Sequence, residues 1–271
     1  MFGLNPDPRV AFDLFGLEIY WYGLIITASI IIAFVLATLI MRKVGFRDEI
    51  VFEVLLIVVP FAIIGARFWY VLFEDGVSLA SFFNFRDGGL AIYGAMMFGA
   101  LALFIYTRFI RKCSFFAISD IVVIVLILAQ SIGRWGNFFN QELYGLSTGG
   151  FHFFPLTVMI GGSAHLALFF FESILNLIGF VFLYKLFTRQ KKYGTTTAWY
   201  FIIYGTVRAI LEPLRVGTYQ MMLGPIPISI VLSVLAVGAG VLLLYLNKLG
   251  KLGQVDITLR PKKGEEKTKK K

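Results

Sequence analysis

The chain is poor in charge, cysteine and histidine, and each scarcity closes off a class of function. Only 15% of its 271 residues are Asp, Glu, Lys or Arg, against about a quarter in a soluble domain, so it has too few to cover a folded surface in water. Cys113 has no second cysteine to pair with, which excludes a disulfide framework. His152 and His165 are too sparse for a recognisable metal site. No H-E-x-x-H or Walker loop is found. An enzyme made from this chain is therefore expected to work without metal or cofactor, its substrates supplying the reacting groups. The opening stretch, MFGLNPDPRV, has no basic region ahead of a cleavage site, so the first helix is expected to act as an uncleaved anchor.

What the chain does have is apolar length. Hydrophobic residues make up 58% of it, the mean hydropathy is +0.81, and the ionic residues cluster between long apolar runs. That pattern predicts an all-α, polytopic membrane helix bundle; the ten-residue alternation of a membrane barrel is absent. About seven transmembrane helices are expected, at Leu17–Met41, Ile50–Phe73, Leu90–Thr107, Phe115–Ile132, His165–Leu186, Thr197–Leu211 and Ile226–Leu246. The sixth is short and carries Arg208. Residues 1–250 form the expected transmembrane catalytic domain, and residues 251–271 a basic, disordered tail that can touch anionic lipid.

All but six of the 25 Lys and Arg residues fall in the loops after spans one, three and five and in the tail. By the positive-inside rule those loops are cytoplasmic, which puts the C-terminus inside and, with seven spans, the N-terminus outside. The net charge of +9 is thus a sign of orientation, not of nucleic-acid binding. The six exceptions are all arginine: Arg9, Arg67, Arg86, Arg134, Arg208 and Arg215. An arginine inside a span costs about 2.5–3.5 kcal/mol on insertion scales, so Arg67, Arg134 and Arg208 each need a reason. Guanidinium groups grip phosphate through two parallel bonds; the alternative is an internal ion pair with Glu142, Glu172 or Glu212.

Four segments carry candidate chemistry. In GRWGNFFNQELYG, Gly133–Gly145, helical spacing puts Arg134, Asn137 and Asn140 on one face. An arginine with two amides there suits a phosphate and its ester oxygens, or equally a polar helix end that satisfies itself. In VRAILEPLR, Arg208, Glu212 and Arg215 form one helical stripe that Pro213 is expected to disturb. In RDGGLAIYGAMM, Gly88, Gly89 and Gly94 surround Tyr93. In WYGL, Tyr22 belongs either to an interfacial aromatic belt or to a proton relay.

GRWGNFFNQELYG closely resembles the signature of the phosphatidylglycerol–prolipoprotein diacylglyceryl transferase family. WYGL, GARFWYV, DGGLAIYG, HLALFFFESILNLIGF and VRAILEPLR look like the family's other blocks, in the family's order and over nearly the whole chain. The resemblance implies transfer of the sn-1,2-diacylglyceryl group from phosphatidylglycerol to the thiol of a preprolipoprotein lipobox cysteine, with release of glycerol phosphate. It places the enzyme in the bacterial cytoplasmic membrane, working towards the outer side. It implies that Arg134 and Arg208 bind the phosphate and that Asn137, Asn140, Glu142 and Gly145 shape the headgroup site. Tyr22 matches an important family tyrosine, and Glu212 orients Arg208. The partners are then phosphatidylglycerol, lipobox peptides and membrane lipid.

At Tyr93 the chain departs from the pattern, since many family members carry a histidine there that has been favoured as the base. A phenol, with a pKa near 10, is a poor base at neutral pH. Either Tyr93 is tuned or relays a proton, or the thiol proton goes to phosphate, Glu142 or water. The competing function is a transporter or flippase for an anionic lipid or solute; against it, the two halves of the chain show no internal repeat.

Overall fold

The computed structural model describes residues 7–47, 49–73, 77–84, 89, 91–216, 222–223 and 225–251. Arg86, Gly88 and residues 252–271 of the tail lie outside the described residues. Seven α-helices are present among those described: α1 (Trp21–Lys43), α2 (Glu49–Phe73), α3 (Ile92–Ile105), α4 (Phe115–Asn140), α5 (Leu168–Arg189), α6 (Thr195–Leu211) and α7 (Ile228–Lys248). A π-helical turn, Tyr106–Ile110, lengthens α3. All but α6 are long and apolar enough to cross a membrane. The 17 residues of α6 rise only about 26 Å at 1.5 Å each, short of a hydrocarbon core of about 30 Å. Short hairpins pair β1 (Val10–Leu14) with β2 (Leu17–Tyr20), β3 (Thr157–Ile160) with β4 (Ser163–Leu166), and β5 (Met222–Leu223) with β6 (Ile226–Pro227).

The described residues divide into two compact units, one within residues 7–36 and 120–251, the other within residues 37–119. In the first unit, β1 and β2 turn at Phe15 and Gly16, both with positive φ (53° and 83°), and lead into α1. The Trp21 N–H donates to the Arg9 carbonyl at 2.9 Å. The first helix thus starts at Trp21, not at the expected Leu17, and the fifth starts at Leu168, not His165, because His165 lies in β4. Both shifts have one cause: apolar strand residues flanking a span extend its hydropathic run, and hydropathy does not report backbone pairing.

Further along this unit, α6 and α7 meet through glycine. A Cβ on Gly205 would stand 2.8 Å from the Ser233 carbonyl oxygen, and one on Gly240 would stand 2.6 Å from that of Ala198. Small residues allow this close approach, on which helix association in lipid depends. At the other end of α6, the buried carboxylate of Asp120 accepts from the N–H groups of Gly194 and Thr197 at 2.7 and 2.8 Å. It caps the first turn of α6 from another helix, satisfying donors that the helix itself leaves open.

In the second unit, α2 and α3 pack where Gly65 faces Gly94, and a side chain at either would collide with the other's backbone carbonyl. Arg67 is buried, and its guanidinium donates to the carbonyls of Phe82, Gly89 and Ser81 at 3.1, 3.1 and 2.6 Å. It fastens the loop that precedes α3, which is a structural reason for one of the three intramembrane arginines. Glu53 pairs with Arg111 and accepts from the Tyr106 hydroxyl at 2.6 Å.

Candidate active site

The last turns of α4 build one wall. The helix runs on past the expected end at Ile132 to Asn140, so Arg134, Asn137 and Asn140 share a helical face, as their spacing requires. On the side towards α5, the Ser131 hydroxyl donates to the Ser173 carbonyl at 2.7 Å, and the Trp135 indole N–H to the Ser173 hydroxyl at 3.2 Å. These bonds fix α4 against α5 one residue away from Glu172. Arg134 Nη2 then lies 2.7 Å from Glu172 Oε1.

A second arginine reaches the same carboxylate from α6. Arg208 Nη1 is 3.2 Å from Glu172 Oε2, and its Nη2 is 2.7 Å from Glu212 Oε2. Arg215 Nη1 donates to Glu212 Oε1 at 3.4 Å. The expected stripe of Arg208, Glu212 and Arg215 breaks after Leu211, where the chain passes into a 3-10 turn, Glu212–Leu214, with Pro213 inside it. Arg215 is extended yet keeps its hold on Glu212. The Glu172 and Glu212 side chains are only 5% and 2% exposed. Carboxylates so buried persist as ions only when paired, and here each faces two guanidinium groups.

The alternative of internal ion pairing is therefore present in the structure, with Glu172 as the shared acceptor. Three guanidinium groups against two carboxylates leave one positive charge in excess. These five residues and Asn137 line a narrow cleft. Asn137 is 6% exposed and lines the cleft, where a side-chain amide has both a donor and an acceptor to offer.

After Asn140 the chain reverses through Gln141 and Leu143, both with positive φ (52° and 57°). The Glu142 N–H donates to the Asn137 carbonyl at 3.1 Å, and the Asn140 amide donates to Glu142 Oε1 at 3.1 Å. Gly145 follows in extended chain, clamped between two segments. Its N–H donates to the Leu166 carbonyl at 2.8 Å, while the neighbouring Leu146 N–H donates to Leu214 at 3.1 Å. His165 bonds the Gly145 carbonyl through Nδ1 at 3.0 Å. A Cβ on Gly145 would come 2.8 Å from that of Leu166, so the clamp closes only on glycine. In this way the segment after α4 ties the Arg215 region to the β3–β4 hairpin.

Tyr22, in the first turn of α1, lies against α4 and within electrostatic reach of Glu142 and Arg134. A Cβ on Gly136 would come 2.5 Å from Tyr22 Cδ2, so the ring occupies space that only glycine leaves open. Tyr22, Arg134, Asn137, Asn140, Glu142, Gly145, Arg208 and Glu212 all belong to the first unit; Tyr93, in the first turn of α3, belongs to the second. From sequence alone, Glu172 is one of three possible ion-pair partners. The signal that singles it out is a lone carboxylate inside the apolar run FFFESILN. Among the described residues, no group of three or more His, Cys, Asp or Glu side chains is placed to hold a metal ion.

Comparison with known proteins gives this geometry a context. Residues 9–246 match the family model described as prolipoprotein diacylglyceryl transferase. The chain is 37% identical to the phosphatidylglycerol–prolipoprotein diacylglyceryl transferase of Clostridioides difficile (strain 630), over 90% of this chain and 97% of that protein. It is 38% identical to the protein of the same name from Streptococcus suis (strain 05ZYH33), over 90% and 94% of the two chains. With that of Listeria welshimeri it shares 34% identity over 91% and 92%.

Proposed function

The chain belongs to the prolipoprotein diacylglyceryl transferase family, and we propose that it moves the sn-1,2-diacylglyceryl group of phosphatidylglycerol onto the lipobox cysteine thiol of a preprolipoprotein. The sulfur attacks the glycerol carbon that carries the phosphate. A C–S bond forms, the C–O bond to phosphate breaks, and glycerol phosphate leaves with the bonding electrons. The thiol proton passes to the leaving phosphate, to Glu142 or water, or through Tyr93. Its removal matters, because a free thiol with a pKa near 8.5 is a weak nucleophile until it becomes a thiolate.

One observation carries this reading. Arg134 and Arg208, from different helices, converge on Glu172 at 2.7 and 3.2 Å, beside the Asn137 amide. A phosphodiester has the charge and the oxygen spacing to take those guanidinium donors from Glu172. Its single negative charge matches the excess positive charge of the cleft. As the C–O bond breaks, the phosphate approaches two negative charges, and the arginines hold it more tightly than they held the substrate. Such differential binding lowers a barrier. Asn140, Glu142, Gly145 and Tyr22 shape the site around the headgroup, and Glu212 keeps Arg208 aimed.

The protein is a multi-pass membrane protein, and its placement follows from charge. We read seven spans in the bacterial cytoplasmic membrane, α6 completing its crossing with the 3-10 turn that follows. The N-terminus and the reaction are outside, the basic tail inside, and neither cofactor nor nucleic acid takes part. A flippase is the less favoured reading, because the relatives are named as transferases. Incubation with phosphatidylglycerol and a lipobox peptide tests the proposal. The peptide should gain the mass of one diacylglyceryl group; lipid movement without a new thioether would sink it.

A further inference from the structure

In the proposed reaction the arginine cleft takes the lipid headgroup, and a polypeptide must bind as well. A second cavity, of about 400 Å³, lies beside it in the same unit. Its lining includes Phe138, Phe139, Phe154 and Met159, with Gln141 and His152 as polar members. The size is that of a small-ligand site. Asn137 lines the arginine cleft, while its neighbours Phe138 and Phe139 line this cavity. The two openings are thus set around a single turn of α4.

We propose that this cavity is the subsite for an apolar side chain of the polypeptide substrate, a reading that rests on the transferase function above. Three features favour a peptide over an acyl chain. The cavity is walled partly by residues 152–159, which lie outside the helices, whereas acyl chains extend along the spans. Gln141 and His152 offer hydrogen bonds that a hydrocarbon has no use for. Finally, β3 supplies both Val158 and Met159 to the lining. It has β4 on one edge and, among the described residues, no strand on the other. An extended peptide laid along an open edge gains main-chain hydrogen bonds and sends alternate side chains into pockets.

The geometry also sets the register. A helix with its side chains is about 10–12 Å across, and an extended chain advances about 3.3 Å per residue. With its cysteine at the arginine cleft, the peptide therefore brings a residue about three or four positions away to the cavity.

The test uses the full-length enzyme in mixed micelles containing phosphatidylglycerol, with single-cysteine peptides. Met159→Trp fills the cavity from β3, and Pro8→Trp from another wall. Both positions are exposed, so the variants should fold. Each should raise the peptide KM at least tenfold while leaving kcat and the KM for phosphatidylglycerol unchanged. In peptides made with leucine three or four positions from the cysteine, replacing that leucine by serine should weaken binding to the wild type and make little difference to the variants. An unchanged peptide KM in both variants would overturn the subsite, as would a rise in the lipid KM alone, which would assign the cavity to an acyl chain. If the wild type modifies no peptide at all, the transferase reading falls and takes the subsite with it.

Discussion

Arg134 Nη2 and Glu172 Oε1 lie 2.7 Å apart, and this contact joins the fourth helix to the fifth at the level where a second guanidinium, that of Arg208, arrives. In the proposed reaction, Glu172 occupies the place that the phosphate takes between the two arginines. Glu172→Gln keeps the shape but removes the competing charge. Glycerol phosphate should then bind about tenfold more tightly, equivalent to about 1.4 kcal/mol, and kcat should fall as product release slows. Inhibition by added glycerol phosphate measures the effect. Weaker inhibition than in the wild type would mean that Glu172 serves only to position the arginines.

Arg134→Ala and Arg208→Ala should each cost at least a hundredfold in transfer while leaving an inserted, folded protein. A charge-assisted bond to phosphate in a dry cleft has no replacement from water. Lysine at either position should restore activity only in part, because it is a point charge without the planar fork. Turnover near the wild-type rate in both alanine variants would remove them from the site.

Much of this was legible in the sequence, and the residues explain why. Long apolar runs marked the helices, since only a closed hydrogen-bonded ladder survives in hydrocarbon. The spacing of Arg134, Asn137 and Asn140 held because α4 continues without a break to Asn140. The hairpins at β1–β2 and β3–β4 were not legible, because their apolar residues read as span ends. Nor was the sharing of Glu172, which depends on α4, α5 and α6 coming together, a matter of tertiary packing and not of local spacing. Arg67 could be flagged as costly but not assigned, since its acceptors are backbone carbonyls, which every residue possesses.

Gly136→Ala should lower activity more than tenfold with little loss of thermal stability. The new Cβ would come 2.5 Å from the Tyr22 ring, closer than real contacts allow, so the ring must move away from Glu142 and Arg134. Removing the ring at the same time, in Gly136→Ala/Tyr22→Ala, should cost no more than Tyr22→Ala alone, as expected of coupled neighbours. Additive losses would show that the two act independently.

Cys113→Ser should be silent. In the proposed topology and mechanism the nucleophile arrives with the peptide, and the basic loop that carries Cys113 is cytoplasmic, across the membrane from the reaction. Abolished transfer at unchanged expression would overturn both the topology and the substrate-thiol mechanism.

Tyr93 stands where the resemblance drawn from the sequence implies a histidine in many family members. If the phenol only donates a hydrogen bond or relays a proton, Tyr93→Phe should lower activity while Tyr93→His keeps or raises it. Imidazole, with a pKa near 6.5, is available as a base at neutral pH, and a phenol with a pKa near 10 is not. The sign of the pH effect follows. A histidine base is active when unprotonated, so the variant's rate should fall as pH drops through about 6.5, giving an acidic limb set by the new group. The measurement is transfer against pH for wild type, Phe and His variants with both substrates saturating. A Phe variant equal to wild type at every pH would leave the hydroxyl without a role and send the search for the base to Glu142 or the lipid phosphate. A folded but inactive His variant would mean that the site is built around the phenol, so that deprotonation in this enzyme takes a route the histidine-bearing relatives do not use.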